Sequence, residues 1–189
     1  MFKWFLKLFR SEQKSIRSKA TAFEQRTITA LHEAAHAVCT HHSSFHSLVQ
    51  DITISSDTTG ETFVGLSRQK ASNKGKLASP KIVIDPDVVV DAAIIFFAGY
   101  EAEKVYCERN NIRTDFSHSI NDYNQVDLLI RRATPTVTTS KEELISWSNQ
   151  VVTQNWQTIE LVANRLSTSS TGSLDAVSAI DLIQYGIII

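Results

Sequence analysis

The sequence predicts a mostly α-helical domain with one small β-hairpin, and three observations carry that expectation. Apolar residues recur at helical spacing over several long stretches. Helix-opening signals stand where two of those stretches begin, at Asp85-Pro86 and at Ser140-x-x-Glu143. Strand-like patterning is confined to two short runs, residues 51–55 and 62–67, on either side of the turn-rich Ser56-Asp57-Thr58-Thr59-Gly60.

Taken in order, residues 1–10 interleave Phe2, Trp4, Phe5, Leu6, Leu8 and Phe9 with Lys3, Lys7 and Arg10. At about 100° per residue the cations share one helical face. The segment is too short to span a bilayer and reads either as an interfacial anchor or as a frayed terminus or partner-packed helix. We therefore divide the chain into a basic amphipathic segment, 1–20, and one domain, 21–189. The first firm helix is expected over 21–42, with Ile28, Leu31, Ala35 and Val38 turned to the core. After the hairpin, residues 68–80 carry Lys70, Lys74, Gly75, Lys76 and Pro80 without apolar rhythm, which suggests a mobile loop with a solvated basic face. Residues 88–99 are apolar apart from Asp91. Too short for a membrane span, they suit a buried helix opened by Asp85 and continuing to Cys107. A helix from near Ser119 stops before Pro135. Another runs from Ser140 to about Leu166, with Trp147, Val151, Ile159, Val162 and Leu166 as its stripe. A last helix is capped by Ser173 and ends before Gly186.

Composition narrows the class of protein. A chain of 189 residues with 42% hydrophobic and 21% charged residues can bury a real core, which excludes disorder. A net charge of -1 gives a nucleic-acid partner no support. Cys39 and Cys107 make no disulfide framework and no cleavable secretory signal is visible, so a cytoplasmic setting is expected, peripheral to a membrane if residues 1–10 anchor there.

The chemistry concentrates in His32-Glu33-Ala34-Ala35-His36. Four residues apart on a helix, the two imidazoles sit one above the other and can reach one ion. Glu33 lies about 100° round the helix, near enough to take a proton from an activated water. A zinc ion and a general base are the reading; two partly buried histidines hydrogen-bonded to neighbours are the plainer alternative. A catalytic zinc needs a third protein ligand. His42 stands six residues after His36, where metzincins place theirs, but Cys39 occupies the glycine position and the sole methionine is Met1. A continuing helix also turns His42 about 120° away from His36. His42 is therefore rejected, which leaves Glu103 and Asp122. The segment Ser119-x-x-Asp122 also reads as a capping box, needing no metal. His41, His42 and His46 are expected to cover a polar loop, Cys39 to be a small buried residue, and His118 to be a weak spare ligand.

These residues resemble a family. Leu31-His32-Glu33-Ala34-Ala35-His36-Ala37 is similar to the zinc-site helix of FtsH-type proteases. In the same order, Ile52-Thr53-Ile54 with Gly65 resembles that family's β segment, and Ala98-Gly99-Tyr100-Glu101-Ala102-Glu103 its glycine-arginine-x-alanine-glutamate helix. Asn121-Asp122-Tyr123, followed by Arg131-Arg132, resembles its third-ligand segment, and 147–182 its C-terminal helices. The resemblance implies a helical zinc-peptidase domain in which Asp122 is the third ligand and Glu103 a supporting group. The chain departs from the family at Ala35, where glycine is usual, and at His118-Ser119-Ile120, where small residues precede the aspartate. The family joins this domain to a membrane anchor and an ATPase; Gly75-Lys76-Leu77 is no Walker A motif. The expectation is a zinc endopeptidase acting on polypeptides without its own unfolding motor, with a separate ATPase or a membrane surface as partners, and with strand 62–67 holding substrate by backbone pairing. The rival is a catalytically silent domain that binds a protein or a membrane.

Overall fold

The computed structural model describes residues 17–76 and 81–186. The amphipathic segment expected at 1–10 lies outside them. Seven helices, α1 (Ala22–His42), α2 (Arg68–Asn73), α3 (Pro86–Arg109), α4 (Ile120–Arg132), α5 (Lys141–Gln154), α6 (Trp156–Thr168) and α7 (Ala176–Tyr185), accompany three strands, β1 (His46–Ser56), β2 (Thr59–Leu66) and β3 (Ser173–Leu174). The protein is mostly helical with one small antiparallel sheet, as the patterning predicts. The sheet runs β2-β1-β3, so β2 forms an edge.

Helix α1 is the central element. Thr21 and Glu24 close a reciprocal capping box at its start, and every residue from Ile28 to Thr40 is buried. One side meets α3 through Ile95, Ala98 and Ala102; others meet Ile52 and Ile54 of β1 and the Ile159, Val162 and Leu166 face of α6. Small alanines at 30, 34, 35 and 37 let these neighbours approach closely. The hairpin lies across α1, held by Thr29 Oγ1 donating to Asp57 O (2.6 Å).

Helix α3 starts as Asp85-Pro86 dictates, the aspartate accepting from Asp87 N. It lacks a polar face because it is covered twice: Ala98 and Ala102 face α1, while Ala93 and Phe97 join Val126 of α4 and Leu144 of α5 in a second cluster. Its one charge in the apolar stretch, Asp91, accepts from Ser44 N (2.8 Å), Phe45 N (3.1 Å) and His46 Nδ1 (2.7 Å). A half-buried carboxylate with three donors clamps α3 to the turn between α1 and β1.

Several expectations need correction. Residues 68–73 of the expected loop form α2, capped by Ser67. Two lysines of the expected loop are engaged: Lys70 Nζ donates to Thr40 O, His41 O and Ser43 O (3.1, 3.1 and 3.0 Å), filling the orphan carbonyls at the end of α1, and Lys76 pairs with Asp85 and Asp87. Residues 77–80 lie outside the described residues. The expected helix from Ser140 to Leu166 breaks at Asn155, whose side-chain and backbone N–H groups both turn back to Val151 O. The break shifts the register of α5, which buries Leu144, Ser148 and Val152 and leaves Trp147 40% exposed. Ser173 belongs to β3, and Asp175 caps α7. His46 is buried against Asp91 rather than covering a polar loop. Residues 18 and 112 pair as a parallel bridge, so part of the expected N-terminal segment is docked on the turn after α3.

Candidate metal centre

One turn apart on α1, His32 and His36 place their Nε2 atoms 2.9 Å from each other. Asp122, in the first turn of α4, brings Oδ2 to 3.1 Å from His32 Nε2 and 3.5 Å from His36 Nε2. A tetrahedral ion with bonds of about 2.0–2.1 Å holds its ligand atoms about 3.3–3.4 Å apart, so this triangle fits one ion with a face left open. Among the described residues, His32, His36 and Asp122 are a group that can hold a metal ion.

The outer nitrogens decide what the inner ones offer. His32 Nδ1 donates to Glu103 Oε1 (2.7 Å), and His36 Nδ1 donates to the Ile95 carbonyl (2.8 Å). A carbonyl can only accept, so His36 carries its proton on Nδ1 and presents a bare Nε2 lone pair. Glu103 does the same for His32, the arrangement that fixes metal-binding histidines elsewhere. Two nitrogen lone pairs and a carboxylate oxygen thus converge in a buried space, a combination that calls for positive charge at its centre. A proton on His32 Nε2 answers the same demand for positive charge. Burial opposes charge on His32, but hydrogen bonds to Asp122 and Glu103 and the charges of Glu33 and Glu103 outweigh it and raise its pKa to about 10. Burial also opposes charge on Asp122, yet the neighbouring His36 and His32 hold its carboxyl well below the usual range.

Two glycines make room for this geometry. A Cβ at Gly99 would stand 2.5 Å from His32 Cε1 and Nε2, so α3 passes flush against the imidazole. A Cβ at Gly60 would meet Glu33 Cγ at 2.5 Å. Glu33 itself is buried, and its Oε2 accepts from Thr62 Oγ1 (2.7 Å), which ties the carboxyl to the β2 edge. The side chain stands beside the His32/His36 pair without entering the ligand triangle.

The site opens into a cleft along β2. A cavity of about 270 Å³ is lined by His32, Glu33, His36 and Asp122 on one side and by Gly60 to Val64 on the other. It continues, through shared Val64, Ile95 and Phe96, into an apolar cavity of about 250 Å³ whose walls include Leu66, Val89, Ala92 and Leu129 and whose polar residues are His46 and Gln125. At the opposite end a smaller polar cavity is bounded by Thr29, Thr58, Thr59 and His118.

Of the residues singled out in the sequence, His32, Glu33, His36, Glu103 and Asp122 meet here. The capping-box reading of Ser119 fails: its side chain caps nothing and its Oγ is buried without a partner. His42 packs edge-on against His41 and is not in the cluster. Cys39 is buried, which pushes its thiol up to about 12. Thr62, Gly60 and Gly99 were not foreseen, although a glycine inside a strand or helix pattern is itself a mark of close approach. Compared with known proteins, the chain matches no family model and no curated protein.

Proposed function

We propose that the chain is a zinc-dependent endopeptidase of the FtsH type, with His32, His36 and Asp122 as ligands and Glu33 as general base. The observation that carries the reading is the convergence of two imidazole nitrogens, each with its tautomer set from behind, and a carboxylate oxygen, beside the Glu33 carboxyl and along the β2 edge of the sheet. A set of two imidazoles, one carboxylate and an open position suits zinc. When bound, zinc supplies Lewis acidity, lowering the pKa of a water to about 7 and polarising a carbonyl.

The chain's own residues do the rest. The β2 edge pairs with the backbone of an extended peptide and lays one of its amides across the site. Glu33 removes a proton from the attacking water as its oxygen bonds to the carbonyl carbon and the carbonyl π pair moves onto oxygen. Glu33 then delivers that proton to the amide nitrogen as the C–N bond breaks, yielding a carboxylic acid and an amine and restoring the base. Thr62 keeps the carboxyl aimed at the water through Oε2. The apolar cavity next to the ligands receives a large apolar side chain flanking the cut bond. The domain acts on unfolded chains or together with an ATPase, and residues 1–10 are its proposed membrane contact.

Glu33→Gln tests this reading. The amide cannot accept the proton, so the variant keeps fold and stoichiometric zinc but cleaves denatured casein about 10²–10⁴-fold more slowly. Equal cleavage by zinc-loaded wild type and variant, or none by either, would refute it.

A further inference from the structure

A fourth histidine faces the same cleft. His118 lies in the 3-10 turn Phe116–Ser119 that leads into α4. It lines both the central cavity and the polar one beside it, each of which also contains His32 and Glu33. It does not join the cluster of ligand atoms. Lining the cavity without joining the ligand group, His118 is placed to meet a substrate and not the ion.

Its tautomer is legible from its partner. Gln25 Nε2 lies 3.4 Å from His118 Nδ1. A carboxamide nitrogen can only donate, so Nδ1 accepts and the neutral ring keeps its proton on Nε2. The ring thereby has an N–H to offer the cleft it lines. The turn that carries it is held in place: Asp115 Oδ1 accepts from Ser117 N (2.9 Å), and Phe116 packs edge-on against Tyr100 (5.0 Å) and Tyr123 (4.8 Å). The remaining lining is poor in donors for new negative charge. Glu33, Glu61 and Asp122 are acidic, the Thr62 hydroxyl is engaged by Glu33, and Asn121 is exposed with no hydrogen bond to hold it among the described residues.

We propose that His118 is a catalytic residue, whose Nε2–H donates a hydrogen bond to the substrate carbonyl oxygen as it becomes an oxyanion. The inference rests on the peptidase reading. When water adds, the carbonyl π pair moves onto oxygen; His118 holds that charge without transferring its proton, and the pair returns when the C–N bond breaks. A donor aimed where charge develops lowers the barrier more than it tightens substrate.

The test uses the full chain loaded with zinc, a denatured-casein assay, and calorimetry with a phosphinate peptide carrying a large apolar side chain, whose tetrahedral anion imitates the oxyanion. His118→Ala should retain one zinc per chain, lose about 10²–10³-fold in kcat with KM nearly constant, and lose phosphinate affinity by a similar factor. Gln25→Leu, which releases the tautomer, should lower kcat several-fold at unchanged zinc content and serves if His118→Ala does not fold. Loss of zinc in His118→Ala would make it a ligand and overturn the proposal. So would kcat and phosphinate affinity within about threefold of wild type in both variants. A wild type that neither cuts casein nor binds the phosphinate would instead overturn the peptidase reading, and the role of His118 with it.

Discussion

Replacing Gly99 with alanine asks directly whether His32 must stand where it does. The new methyl would lie 2.5 Å from His32 Cε1 and Nε2 and 2.7 Å from Cδ2, whereas ordinary contact begins near 3.4 Å. The ring would have to retreat by about 0.9 Å, yet its Nδ1 is held at 2.7 Å by Glu103 on the same helix as the intruding methyl. For the fold, opposing effects nearly cancel. Alanine in a helix interior is better than glycine by about 0.8–1.0 kcal/mol, and overpacking costs about 1–3 kcal/mol, so a net loss of about 0–2 kcal/mol is expected. For the site nothing compensates. Ligand distances tolerate about ±0.2 Å, and disturbing even the groups behind a ligand costs about 10–100-fold in affinity. The expectation is at least that loss for zinc, or about 1.4–2.8 kcal/mol, read by competition with a chromophoric chelator while thermal unfolding of the metal-free protein reports the fold. A Gly99→Ala variant that binds zinc as wild type does, with the raised melting temperature of a simple helical glycine replacement, would refute the packing argument.

Asp122→Ala should weaken zinc far more than Glu103→Ala, because the first removes a ligand atom and the second only a partner worth about 10–100-fold; equal losses by the same chelator competition would count against Asp122 as a ligand. Ala92→Phe should fill the apolar cavity and shift cleavage from large to small apolar residues beside the cut bond, as product sequencing would reveal; an unchanged preference would place that side chain elsewhere. Asp91 should report on acid stability. Burial disfavours its charge, but hydrogen bonds from His46, Ser44 and Phe45 prevail and hold its pKa below the ordinary value. Its contribution is therefore fully present above the unfolded pKa of about 3.9 and lost as pH falls through the folded one. Asp91→Asn should be less stable near neutrality by about 1–3 kcal/mol, with the gap narrowing below about pH 4 in urea titrations; a gap that stays constant with pH would rule this out.

What the sequence made legible is what lies within one element. The histidine pair, Glu33 between them, and the Asp85-Pro86 opening are local statements about a helix, and α1 and α3 run where those statements put them. Asp122 and Glu103 could be ranked only through the family resemblance and not from their own spacing, since 90 residues of chain separate His32 from Asp122 and 71 separate it from Glu103. A physical ground for that ranking takes the fold, which puts the Asp122 carboxyl at Nε2 and the Glu103 carboxyl at Nδ1. The errors have the same cause in reverse. Lys70 seemed part of a solvated loop because its acceptors belong to α1 and the turn after it, and Trp147 seemed buried because Asn155 could not be seen to reset the helix. Polar groups inside the protein find partners across the fold, and single-segment patterns say little about them.

The three proposed ligands are not equally anchored. His32 and His36 stand on α1, where every residue from Ile28 to Thr40 is buried, whereas α4 buries only Val126 and packs mainly on α3, with Lys141 bridging Asp127 to α5. A helix with so little buried surface opens locally at low free energy, well below global unfolding. An ion bound across the gap would staple it: at a free concentration of about 100 times Kd, binding that requires α4 in place opposes its opening by about 2.7 kcal/mol. Amide exchange over 120–132 should therefore slow by about two orders of magnitude on metal addition while α1 hardly changes. The protein would then contain its own metal-dependent clasp, and chelation would loosen one wall of the cleft long before it melted the domain.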